Sequence, residues 1–161
     1  MFNKILVGVD GSENSTRALQ VAADLSHKFD AELIVFHAIP HHYQPPMLPI
    51  PPFATLSPVP REPQMDPIQL KDFYADAGKA VLKHAEDYLE GLEYGSDLKV
   101  EYQLEMDVSP EEFAANFASE NRVDLIVVGC NGHHSRLRRA LVGTVATKIA
   151  NEAPCQVLVV R

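Results

Sequence analysis

Three glycines and one carboxylate are the residues in this chain best suited to chemistry. Gly129 and Gly132 follow the apolar run Leu125-Ile126-Val127-Val128, and Gly143-Thr144 reads as the opening of a later helix. Two glycines just past the carboxyl end of a buried strand permit a tight turn with free backbone N–H groups, a natural cradle for phosphate. Gly143-Thr144 would add donors at a helix start, where the dipole also favours anions. Asp10 follows the opening run Lys4 to Val9. It would sit at a strand's carboxyl end, where ligands bind in open α/β sheets. Each feature also has an ordinary reading: the glycines as turn residues, and Asp10 or Ser12 as the cap of the next helix. What decides is whether the chain brings them together.

The elements needed to do so can be read in order. Lys4 to Asp10 is a first strand, and Ser15 to Phe29 has its apolar residues at helical spacing. Ala31 to Ile39 is a second strand of the type that suits a buried sheet. Strand, helix and strand in this order make a βαβ unit. Leu70, Phe73, Ala77, Val81, Ala85, Tyr88 and Leu89 then recur at three- and four-residue steps, predicting an amphipathic helix that starts near Asp66-Pro67. Leu98 to Met106 alternates apolar and polar residues as a half-exposed strand does. Ser109-Pro110-Glu111-Glu112 is a helix start with a capping serine, proline in the first turn and carboxylates at the positive end of the dipole. After the strand at Leu125 to Val128 come a helix from Thr144 to about Ala150 and a last strand, Cys155 to Val160. Five strands alternate with four helices, which predicts an α/β fold with a doubly wound five-stranded parallel sheet and helices on both faces.

The whole chain, 1–161, is expected to be one domain, interrupted by a proline-rich insertion over 40–67 that holds ten of the twelve prolines. Proline disfavours helix interiors and central strands. A loop this long is commonly a lid, a docking segment or a passive excursion.

Composition limits the function. With 46% hydrophobic and 22% charged residues the chain is ordinary for a soluble globular protein. A formal net charge of −8 argues against a nucleic-acid-binding surface, which needs a positive field. The local cluster Arg136-Leu137-Arg138-Arg139 would suit a small anion or a solvated helix face. No apolar run reaches the roughly 18 residues that span a bilayer. No secretory leader pattern opens the chain, and two cysteines, Cys130 and Cys155, make no disulfide framework. A cytoplasmic location is expected.

If the first, second and fourth strands are neighbours, Asp10, Ala38, Gly129, Gly132 and Gly143-Thr144 fall at one sheet edge. A carboxylate for a ribose, backbone for a base and a glycine cradle for phosphates together make a nucleotide site. The spacing is neither GxGxxG after the first strand nor the P-loop GxxxxGK[ST].

KILVGVDGS at the start, VDLIVVGCNG in the centre and LVGTVATKIANEAPCQVLVVR at the end, in this element order, resemble the universal stress proteins. The resemblance covers nearly all of the chain outside the insertion. It implies an adenine-nucleotide α-hydrolase-like fold, a homodimer formed through the last strand (155–160) and a role in stress adaptation. The family's ATP-binding branch carries glycine, two residues, glycine, nine residues, then glycine with serine or threonine. Gly129, Gly132, Gly143 and Thr144 match those positions, with Val145 next to them, although ten residues, His133 to Val142, separate the last two glycines here. Asp10 matches the acidic residue near the ribose, and Val9, Ala38 and Val128 fall where members contact adenine. Asp107 stands where many members have glycine. The resemblance implies ATP, accompanied by Mg2+, as ligand, with AMP or ADP as alternatives.

No catalytic residue set is identifiable. His133-His134, with His41 or His42, have no specific metal-ligand spacing, and no base marks Ser135 or Thr144 as a nucleophile for self-phosphorylation. Three functions are open: an ATP-responsive dimeric stress module, a nucleotide-independent interaction protein acting through the proline-rich loop and dimer face, and a slow ATP hydrolase.

Overall fold

The computed structural model describes residues 2–40, 67–130 and 143–161. The proline-rich stretch, the basic cluster, Gly132, Ser135 and the four histidines at 41, 42, 133 and 134 lie outside the described residues.

Five strands form one parallel sheet: β1 (Lys4–Gly8), β2 (Glu32–Ile39), β3 (Lys99–Met106), β4 (Leu125–Gly129) and β5 (Gln156–Val160). Their spatial order is β3-β2-β1-β4-β5. The chain therefore winds outward from β1 in both directions, and the direction changes between β1 and β4, the position where open α/β sheets leave a crevice for ligand. Register places Val7 opposite both Val35 and Val127, and Gly129 opposite Val160.

Among the described residues, four helices cover the sheet: α1 (Glu13–Phe29), α2 (Pro67–Glu90), α3 (Pro110–Asn121) and α4 (Thr144–Glu152). Strand alternation sends Ile5, Val7, Leu33, Val35 and Val127 into a core shared with α1 and the end of α2. Their neighbours Leu6, Ile34, Phe36, Ile126 and Val128 pack against α3 and α4 on the other face. The central strands are buried on both sides, which explains why they read as continuous apolar runs, whereas edge strand β3 alternates.

Local sequence sets the boundaries. Ser12 caps α1, its Oγ accepting from the Ser15 N–H at 3.2 Å, so the helix opens at Glu13 rather than Ser15. Ser109 caps α3 in the same way, through the Glu112 N–H, with Pro110 in the first turn. A turn of 3-10 helix at Gly95–Asp97 separates α2 from β3, so β3 begins at Lys99. The paired strands are also shorter at one end than expected, because Val9, Asp10, Ala31 and Cys155 lie in the turns that flank them. Asp107, in the turn after β3, has φ +63, the left-handed conformation that glycine adopts freely and aspartate tolerates. Its carboxylate pairs with Lys71 Nζ of α2 at 3.1 Å. No described helix is long and apolar enough to cross a membrane.

Candidate functional site

A cavity of about 310 Å³ opens at the carboxyl ends of β1, β2 and β4, within the size of ordinary small-molecule sites. Val9, Asp10, Ala38, Val128, Gly129, Gly143, Thr144 and Val145 all line it. Of the site residues expected from sequence, only Gly132 falls outside the described residues. Gly8, Ser12, Ser15, Phe36, His37 and Pro110 also face the cavity, and sequence reasoning does not single them out as site residues.

The first wall is the β1–α1 turn. Val9 keeps the sheet ladder, its N–H donating to the Phe36 carbonyl at 2.9 Å. The chain then turns sharply, and Gly11 takes φ +77, which a side chain would strain. Asp10 Oδ1 accepts from the Ser12 N–H at 2.9 Å. Asp10 thus orders the turn without capping α1; Ser12 has that role. The carboxylate is half-buried at the cavity wall.

The second wall is the end of β4. A Cβ on Gly129 would lie 2.8 Å from the backbone C and O of Asn14 at the start of α1. Glycine is required there by close packing of strand on helix, whether or not a ligand is present. The adjoining Cys130 is buried. Its N–H donates to the Val160 carbonyl at 2.7 Å, and its own carbonyl accepts from the Gly143 N–H.

That last bond brings α4 to the cavity. Gly143 is the N-cap, with extended backbone (φ −62, ψ 158) and no side-chain cap bond among the described residues. Gly143, Thr144 and Val145 line the cavity, which places the positive end of the α4 dipole at its wall. Lys148 Nζ on α4 holds Glu111 on α3 at 2.6 Å. Burial pushes the Glu111 carboxyl up, but the Lys148 ammonium and the hydrogen bonds at the helix start outweigh it and hold it below the ordinary carboxylate range. The cavity thus combines an apolar slot (Val9, Ala38, Val128), a carboxylate and a helix N-terminus. These are the three chemistries that a base, a sugar and a phosphate require.

The family model of the universal stress protein family matches residues 1–161. The chain belongs to the universal stress protein family. It is similar to a universal stress protein of Methanocaldococcus jannaschii, with 31% identity over 163 residues covering all of this chain and 83% of that one. The universal stress protein YxiE of Bacillus subtilis is 29% identical over 161 residues, the full length of both. Among solved structures, a universal stress protein in complex with cAMP shares the fold at a TM-score of 0.66 and 24% identity, covering 99% of this chain and 97% of that one. The universal stress protein of Archaeoglobus fulgidus in complex with dAMP also aligns at a TM-score of 0.66, with 20% identity over 99% of this chain and 98% of the other.

The features that sequence leaves unseen are tertiary. His37 is polar in the otherwise apolar run from Leu33 to Ile39 and Ser15 lies on the apolar side of α1, so each departs from the local pattern, but neither departure names a partner. Cys155 is half-buried, and burial pushes its thiol up, as expected of a passive thiol.

Proposed function

We propose that this universal stress protein binds an adenine nucleotide in the cavity at the ends of β1, β2 and β4. The observation that carries the reading is convergence: Asp10 after β1, Gly129 at the end of β4 and Gly143–Val145 at the start of α4 line one cavity at the point where the sheet's winding reverses. Adenine would lie against Val9, Ala38 and Val128, and Asp10 would accept from ribose hydroxyls. The phosphates would meet the amides of Thr144 and Val145, which follow the Gly143 cap, with Gly132 as a further contact. The relatives solved with cAMP and dAMP support the ligand class. ATP is the form we favour, with ADP and AMP as alternatives. Mg2+ would arrive with the triphosphate and be held largely by phosphate oxygens and water. Mass spectrometry of ligand released from freshly purified protein tests the reading, with Gly132→Val as comparison. Wild-type protein should carry an adenine nucleotide and the variant should not. An empty wild-type protein that also fails to take up added nucleotide contradicts the proposal.

The protein would act as a cytoplasmic, homodimeric module whose surface answers to nucleotide in stress adaptation. Pairing along β5 is supported by that strand's position at the sheet edge and by Leu158, which is 36% exposed there. An unpaired edge with an exposed apolar side chain is a surface that soluble proteins normally cover.

A further inference from the structure

We propose that His37 is the positioning residue for the Asp10 carboxylate, acting through the peptide bond that joins Val9 to Asp10. This inference rests on the adenine-nucleotide reading for its ligand, though not for its geometry. His37 Nδ1 lies 2.7 Å from the Val9 carbonyl oxygen. A carbonyl only accepts, so Nδ1 carries the proton and the imidazole is the donor. On the opposite edge of the same peptide, the Asp10 N–H donates to Ser15 Oγ at 3.3 Å. Ser15 is 5% exposed, and its hydroxyl in turn donates to the Ser12 carbonyl at 2.9 Å. Both polar atoms of one peptide are therefore held by side chains from other elements, β2 and α1. The Ser12 N–H then closes the circuit on Asp10 Oδ1 at 2.9 Å.

The arrangement has a physical reason. At Val9 the chain leaves the ladder, and the Val9–Asp10 peptide would otherwise be free to rotate at the point that aims the carboxylate. A peptide clamped on both edges cannot rotate without breaking both bonds, so the Cα–Cβ vector of Asp10 is set before ligand arrives. Such preorganisation raises affinity by removing an ordering cost from the binding step. His37 touches no reacting atom in this scheme.

The test uses full-length protein stripped of nucleotide, with ATP and 2′,3′-dideoxy-ATP as probes, because only ATP offers the ribose hydroxyls that Asp10 would read. Wild-type protein should prefer ATP by about tenfold, the size of a hydrogen bond to a charged group. His37→Leu should lower that preference to about twofold or less; because His37 also faces the cavity, affinity for the dideoxy analogue can change too, but by less than affinity for ATP. His37→Asn, whose side-chain N–H falls close to the position of Nδ1, should restore most of it. A His37→Leu protein that keeps the full preference, or weakens both probes equally, overturns the assignment. So does a wild-type protein that binds both probes equally well. Amide hydrogen exchange in ligand-free protein gives a second arm: the Ser12 N–H should exchange about tenfold faster in His37→Leu and at the wild-type rate in His37→Asn. Failure of wild-type protein to bind either probe would count against the nucleotide reading, and the exchange arm would still decide the role of His37. Unchanged Ser12 exchange in His37→Leu, measured on protein with wild-type melting behaviour, would refute it.

Discussion

The Gly143 N–H donates to the Cys130 carbonyl, so the chain leaves β4 and enters α4 at two hydrogen-bonded neighbours. Residues 131–142 therefore connect two fixed ends. Cys130 is itself tied to Val160 of β5, which anchors the junction to the sheet. The spacing of ten residues between Gly132 and Gly143 does not by itself carry Gly143–Val145 out of the cavity.

Deleting one residue from the 131–142 segment, Ser135 for instance, should change nucleotide affinity by less than about threefold, because closure entropy depends weakly on loop length. Titration calorimetry on the deletion variant checks this. A loss of more than about tenfold would show that loop length itself sets the phosphate contacts.

Gly129→Ala should destabilise the fold. The added Cβ would meet the Asn14 backbone at 2.8 Å, and backbone cannot swing aside as a flexible side chain can. A loss of about 1–3 kcal/mol, typical of overpacking, is expected in urea unfolding. Unchanged stability with lost nucleotide binding would mean that this glycine serves the ligand alone.

Acid should weaken the protein partly through Asp124. Its Oδ2 accepts from the Asn3 and Lys4 N–H groups at 2.7 and 3.1 Å, and these bonds hold its carboxyl below the ordinary value. A depressed carboxylate contributes stability that is fully present above its unfolded value of about 4. That contribution is lost as pH falls through the lower, folded value. Asp124→Asn should therefore be less stable than wild type at pH 7, and the gap should narrow below about pH 4. Denaturation midpoints across that range test the sign; a gap that widens in acid contradicts it.

Leu158→Arg places a charge on the exposed face of edge strand β5. If two copies pair there, the substitution should convert the dimer to monomer in sedimentation experiments, with the monomer's secondary structure intact. A variant that remains dimeric places the contact elsewhere, and a wild-type protein that sediments as a monomer contradicts the dimer.

Much of this architecture is written in local sequence, for identifiable reasons. Leu125 to Val128 is apolar at every position because β4 is buried on both faces, and Lys99 to Met106 alternates because β3 is an edge. Ser12 and Ser109 announce their helices because capping is decided within one turn. Asp10 and Gly143 are recognisable because a strand's carboxyl end and a helix start are chemically special wherever they occur. The clamp on Asp10 is hidden, since His37 and Val9 are brought together only by sheet pairing between β1 and β2. The packing demand on Gly129 is hidden for the same reason, because Asn14 meets it from another element. The left-handed turn at Asp107 is also concealed, by a side chain that tolerates a conformation usually left to glycine.

Whether the cavity lined by Asp10, Gly129 and Gly143 is a nucleotide site can be decided by titrating nucleotide-stripped protein with ATP and Mg2+. A saturable heat corresponding to one nucleotide per chain is expected. Asp10→Ala should weaken it at least about tenfold, as when a charged hydrogen-bonding partner is removed. No saturable heat with ATP, ADP or AMP up to about millimolar concentration, where even a weak site of about −4 kcal/mol would register, would contradict the assignment.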